Sequence, residues 1–189
     1  LLNASDGRVY LYSECYVRTS SKEYVEYDPT VPEDDQIYMQ LTNNAVQRDG
    51  EDYGKFEEGN IVSPHTLFDF IAQSKFNKNQ ESKNDLQAKF TKDMERLVVD
   101  TMKSVKGKIL SQKHTFELLG YDFIIDENLN TVLIEVNTNP CLEESNALLR
   151  KLLPRMVDDM FNIVLDPIFG GEQVKYKSKF PLPAETFHL

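Results

Sequence analysis

The sequence predicts an α+β domain, and three observations predict it. Residues 121–125 and 132–136 are short apolar runs, rich in β-branched and aromatic side chains. They flank the turn formers Asp126 to Asn130, so the stretch reads as an antiparallel hairpin. From Leu86 the apolar positions Phe90, Met94, Leu97, Val98, Thr101 and Val105 recur at helical spacing. A second helical pattern runs from Pro154 to Leu165 with Met156, Val157, Met160, Phe161 and Val164 on its inner face. With 189 residues, 40% of them hydrophobic and 11% aromatic, the chain can bury one core and forms one compact domain or a large piece of one.

Taken in order, the chain opens on Leu1-Leu2, then a turn through Gly7 and a strand-like run from Val9 to Val17. Apolar residues at the very start predict an open strand edge and sequence continuing upstream. Asp28 to Asp35 is a Pro- and acid-rich loop, Ile37 to Leu41 a short strand, and Asp49 to Asn60 another polar loop. Ser63-Pro64 pairs a capping residue with Pro at the first helical position, opening a helix through Ser74 that buries Leu67, Phe68 and Ile71. Phe76 to Asp85 is a polar surface loop before the long helix. That helix's apolar stripe is core, as amphipathic stripes of this spacing ordinarily are. After the hairpin Asn139-Pro140 turns the chain, and the tail from Gly170, with Pro181 and Pro183, is expected to be extended or disordered.

Charge and sulfur exclude some functions. A formal net charge of −10 argues against nucleic acid as partner, and an acidic partner would have to meet a local basic patch. Cys15 and Cys141, in a chain with no signal-peptide pattern and no long apolar run, are expected to be free thiols in a reducing compartment, away from membranes. His65, His114 and His188 are dispersed and suggest no zinc site.

The chemistry sits on the hairpin. With the turn centred near Asn128, Asp122 lies roughly opposite Glu135, and strand alternation puts Glu135 and Asn137 on the same face beside it. Two carboxylates and an amide converging on one spot suit Mg2+, bound at about 2.1 Å with waters and substrate phosphates completing the shell. Glu135 stands inside the apolar run Leu133, Ile134, Val136, where an unpaired carboxylate buried on both sides would cost several kcal/mol. A calcium loop is the rival reading of Asp126, Asn128 and Asn130. It fails because Thr131 stands where such a loop needs Gly and Asn137 where it needs a bidentate Glu.

Four motifs occur in one order: Val17-Arg18-Thr19-Ser20-Ser21, Gln40-Leu41-Thr42-Asn43-Asn44, residues 53–60 (Tyr-Gly-Lys-Phe-Glu-Glu-Gly-Asn), and the hairpin ending Ile134-Glu135-Val136-Asn137. Together they resemble the tubulin–tyrosine ligase family as far as about Phe169. The resemblance implies the C-terminal lobe of an ATP-grasp domain over residues 1–169, mostly antiparallel sheet with flanking helices. It implies a ligase that activates a tubulin carboxylate with ATP as an acyl phosphate and joins it to a free amino acid, most closely tyrosine. A polyglutamylase, a glycylase and a non-catalytic tubulin-binding module are the alternatives, and a divergent ATP-grasp enzyme acting on small molecules is a more distant one. It further implies Mg2+ on Asp122, Glu135 and Asn137, Ile134 against the nucleotide base or ribose, Arg18 gripping a carboxylate or phosphate, and Thr42 and Asn43 contacting phosphate and substrate. Gln40 replaces the family's usual His, which removes a proton-transfer role there but keeps hydrogen bonding. Lys55 reads as an exposed loop lysine. The family's upstream phosphate-binding lysines, adenine-contacting strand and arginine-bearing strand are not in this sequence, so this chain alone is expected to be inactive. Tubulin or microtubules would be the partner, in the cytoplasm, on the cytoskeleton or at a cilium.

Overall fold

The computed structural model describes residues 1–3, 7–110, 112–169 and 185–188. It is a mixed helix and strand structure with one four-stranded and two two-stranded antiparallel sheets. The chain divides into two units: Leu1–Glu14 with Phe68–Leu142 and Leu153–Leu189, and Cys15–Leu67 with Glu143–Leu152.

In the first unit, β1 (Leu2–Asn3) and β2 (Arg8–Leu11) join β5 (Phe116–Glu117) and β8 (Glu185–His188) in the order β5-β1-β2-β8. The open edge expected at Leu1-Leu2 is overturned. β1 is paired on both sides, Leu2 opposite Val9 and Glu117, and the terminal amine donates to the Tyr10 carbonyl at 2.8 Å. The strand expected from Val9 to Val17 is shorter, because pairing stops at Leu11 and resumes only at Val17. The remainder of the tail beyond residue 169, apart from β8, lies outside the described residues.

The long helix is α4 (Lys83–Val105). Ser82 caps it reciprocally with Asp85: the Asp85 N–H donates to Ser82 Oγ at 3.2 Å and the Ser82 N–H to Asp85 Oδ2 at 3.3 Å. The loop before it is anchored by buried Asn77, whose amide nitrogen donates to the carbonyls of Ala72 and Glu81. Along α4 Leu86, Phe90, Val98 and Met102 are buried while Val105 is exposed. Phe90 stacks on Phe68 with ring centroids 5.2 Å apart. Val98 and Met102 form a core with Leu2 and Val9, against which Leu119, Tyr121 and Phe123 pack. That core fixes the strands β6 (Gly120–Ile125) and β7 (Thr131–Asn137), the predicted hairpin.

In the second unit, β3 (Val17–Arg18) pairs with β4 (Ile61–Val62), and Ser63 caps α3 (Pro64–Gln73) by accepting from the Thr66 N–H at 3.1 Å. The strand expected over residues 37–41 is instead α1 (Glu33–Gln40). The reason is local: Gln36 is buried, and its amide donates to the Asp28 and Val31 carbonyls at 2.9 Å each while accepting from the Asp28 N–H. That arrangement winds the chain at the point where Ile37 and Tyr38 alone favour a strand. α2 (Asn44–Gln47) follows directly. The last long helix, α5 (Leu149–Val164), whose residues 149–152 belong to this unit and the remainder to the first, begins well before the Pro154 start expected. Its cap is Asn146, whose Oδ1 accepts from the Leu149 N–H at 2.8 Å, and Pro154 is carried inside the helix. Phe161, expected inward, is exposed. A short α6 (Asp166–Phe169) ends the continuous description. No helix among the described residues is long and apolar enough to cross a membrane. Cys15 and Cys141 are exposed and are not joined in a disulfide.

Candidate functional site

The hairpin brings Asp122, Glu135 and Asn137 together. Asp122 is opposite Glu135 and Gly120 opposite Asn137, and the Asn137 amide donates to Glu135 Oε1 at 3.1 Å and approaches Asp122 Oδ2 at 3.5 Å. A one-residue irregularity makes this so. From the turn the pairs run Ile125–Thr131, Ile124–Val132 and Phe123–Leu133, and then step directly to Asp122–Glu135, leaving Ile134 as the extra residue of a β-bulge. Without it strict alternation would set Asp122 against Ile134 and turn Glu135 to the face of Tyr121 and Phe123, which packs on the core. The bulge re-aims the carboxylate, a usual role for this feature.

The burial argument for Glu135 does not hold. Glu135 is exposed, as is its neighbour Ile134 at 59%, because the face of the β6–β7 ribbon that carries Glu135, with Ile124 and Val132, is open among the described residues; Val136, opposite Tyr121 on the other face, is exposed as well. A carboxylate there carries little desolvation cost, so the convergence of the three side chains, not burial, is the observation that counts. Among the described residues no group of three or more His, Cys, Asp or Glu could hold a metal. Two carboxylates and an amide are a partial donor set, of the kind that suits Mg2+ shared with substrate phosphates better than an all-protein cage. The Asn137 amide can offer its nitrogen, as here, or its oxygen when turned over. The calcium-loop rival is answered by geometry. Asp126 accepts from the Asn128 and Asn130 N–H groups at 2.9 and 2.8 Å and from the Asn130 amide at 2.9 Å, so these side chains build the turn. The Asn130 hydrogen bonds hold the Asp126 carboxyl below its ordinary range.

The other predicted residues lie in the second unit. Arg18 is half-buried in β3 opposite Ile61. Gln40 ends α1 and is exposed, and Thr42 is half-buried between α1 and α2. Asn43 caps α2, its Oδ1 accepting from the Ala45 N–H at 2.9 Å. Lys55 is an exposed loop lysine on Asp52 at 2.7 Å, as read from the sequence.

What the sequence reading missed is the support beneath these groups. Gln47 is 0% exposed. Its Oε1 accepts from Ser21 N–H at 2.8 Å, Ser21 Oγ at 2.6 Å and the Asn60 amide at 3.2 Å, while its Nε2 donates to the carbonyls of Tyr38 and Leu41. Buried Asn60 also donates to Ser21 Oγ at 2.8 Å, accepts from the Gly54 N–H at 2.8 Å, and through its carbonyl receives the Thr19 N–H at 2.9 Å. Gly59 and Asn60 are both left-handed, at φ 67° and 53°. A Gly-Asn pair at the end of a polar loop is the one sequence signal that could have exposed this node.

A sequence profile described as the Tubulin-tyrosine ligase family matches residues 1–172. The chain belongs to the tubulin–tyrosine ligase family. Its relatives in that family include a protein named tubulin glycylase 3D from Tetrahymena thermophila, 30% identical over 84% of this chain and 14% of the relative. A probable alpha-tubulin polyglutamylase, Ttll1, from the same organism is 28% identical over 89% of this chain and 38% of its own length. A probable tubulin polyglutamylase, TTLL9, from Bos taurus is 32% identical over 83% of this chain and 31% of its own. The chain therefore spans well under half the length of each of these three relatives. All four motifs, from Arg18 to Asn137, fall within the region matched by the family profile.

Proposed function

We propose that this chain is the C-terminal part of an ATP-grasp ligase that joins an amino acid to a tubulin carboxylate, with glycine or glutamate as the added residue. The three relatives described above are named as a glycylase and polyglutamylases, none as a tyrosine ligase, so these alternatives are better supported than the tyrosine expected from the motifs. The observation that carries the catalytic reading is the convergence of Asp122, Glu135 and Asn137 on the open face of the hairpin.

Bound ATP would supply the phosphoryl group that activates the carboxylate, and Mg2+ the neutralisation of phosphate charge. Asp122 and Glu135 would hold the cation, with Asn137 offering its amide oxygen. Ile134, exposed on the bulge, would present an apolar contact to the nucleotide. In the second unit the Arg18 guanidinium would orient the carboxylate by two parallel hydrogen bonds, and Thr42 and Asn43 would donate to oxygens on which negative charge gathers. Gln40 would add a hydrogen bond without moving a proton. With tubulin as partner, the protein would work at the cytoskeleton.

The test is transfer of labelled glycine, glutamate and tyrosine to tubulin by the full-length protein that carries this sequence, beside its Glu135→Gln variant. Incorporation of glycine or glutamate that needs ATP and falls in the variant is expected. Tyrosine as the sole amino acid transferred would overturn the assignment, and transfer unaffected by Glu135→Gln would remove the hairpin from the chemistry.

A further inference from the structure

We infer that Gln47 is a positioning residue that sets the spacing between the segment carrying Arg18 and the segment carrying Thr42 and Asn43; this rests on the ligase reading above. The two segments are far apart in sequence, and the amide of Gln47 bridges them. On one side its oxygen collects three donors from Ser21, which follows β3 closely in sequence, and Asn60, which is bonded to Thr19 just past the end of β3 through both its carbonyl and its amide. On the other its nitrogen holds the carbonyl of Leu41, the residue before Thr42, and that of Tyr38 on the last turn of α1. Gln47 itself ends α2, whose first turn is capped by Asn43. One fully buried side chain therefore satisfies both hydrogen-bonding edges, one against Leu41 between Gln40 and Thr42, the other against Ser21 and Asn60, the latter bonded to Thr19 beside Arg18. Nothing about a core requires an amide here, since an apolar side chain could fill the space; what only an amide does is fix two carbonyls and three donors at once. Gly59 adds to the rigidity, because at φ 67° any other residue in its place would be strained.

Gln47→Glu discriminates. The carboxylate keeps the acceptor edge, but it places an oxygen against the Tyr38 and Leu41 carbonyls, and only when the carboxyl is protonated is a donor restored, to one of the two. Turnover by the full-length protein is measured against pH for wild type and variant, with KM for ATP and the melting temperature taken at the same pH values. The variant is expected to lose at least about tenfold in kcat at the alkaline end and to regain it as pH falls. Its KM for ATP should stay within about twofold, and at an assay temperature held well below the melting temperature of the variant the folded fraction should stay constant while kcat falls. A kcat for Gln47→Glu that follows wild type at every pH, or one that falls only as folded protein is lost, would overturn the inference. Should that variant not fold, Ser21→Ala, which removes one donor and keeps the Ser21 N–H, is expected to lower kcat several-fold at unchanged KM for ATP, and an unchanged kcat would overturn the inference equally. An inactive wild type would instead refute the ligase reading, so the two failures are distinct.

Discussion

The two regions that carry the candidate groups hold them by opposite means. On the hairpin, Asp122, Glu135 and Asn137 project from paired strands, and the scaffold beneath them is a backbone ladder resting on an apolar core of Leu2, Val9, Val98 and Met102. Around Gln47, the strand pairing is only two residues long and the segments are joined by buried side-chain hydrogen bonds. Where backbone pairing is long, the functional side chains can be exposed and expendable for stability. Where it is short, polar side chains must take over the structural work and become costly to remove.

That contrast sets an order of effects. Gln47→Leu should be the most damaging, because it strands two carbonyls and three donors in a fully buried place. At about 1–3 kcal/mol for each group left unsatisfied, and allowing for relaxation, a loss on the order of 3–5 kcal/mol in denaturant unfolding is expected. A loss under about 1 kcal/mol would erase the distinction between the regions. Asp122→Ala should come next, through function more than stability. It removes one of the two carboxylates that the bulge sets side by side on the open face, so Mg2+-dependent nucleotide binding should weaken at least about tenfold. Unchanged binding would remove Asp122 from the site. Glu135→Gln on the exposed ribbon should change stability by no more than about 0.5 kcal/mol; a larger loss would mean that the carboxylate is structural.

The smallest effect concerns pH. Glu58 accepts from the Ala147 N–H at 3.1 Å and from Arg150 at 3.1 Å, and chiefly the backbone bond holds its carboxyl below the ordinary range. A lowered folded pKa adds stability that is present above the unfolded value, near 4.3, and is lost as pH falls through the folded value. Glu58→Gln should therefore lower the melting temperature slightly at neutral pH and converge with wild type in acid. A difference that grew in acid would reverse the sign argued here.

The parts of this molecule legible from sequence are those built on a repeating pattern. α4 announced itself by helical spacing, α3 by Ser63 and Pro64 at its start, and the hairpin by two apolar runs around a turn, whereas the Ser82 cap that starts α4 at Lys83 lay within the stretch read as a loop. The trio on it was also readable, although the bulge that aligns it was not, since one extra residue leaves no mark in composition. α1 was misread because Ile37 and Tyr38 favour strand while the winding signal, buried Gln36, acts through backbone carbonyls of a preceding loop. The start of α5 was misplaced because Pro154 suits a first helical position, whereas Asn146 supplies the cap. The Gln47 node was invisible because its partners lie 26 residues away at Ser21 and 13 at Asn60, and no local pattern encodes such pairings.

The most direct test of the central claim, that the hairpin holds a metal for nucleotide, is calorimetric titration of ATP, with and without Mg2+, into the full-length protein and its Glu135→Gln variant. Binding that requires Mg2+ and weakens at least about tenfold in the variant is the predicted result, the scale on which even an outer partner of a metal site matters. Equal binding by both proteins, with or without Mg2+, would contradict it.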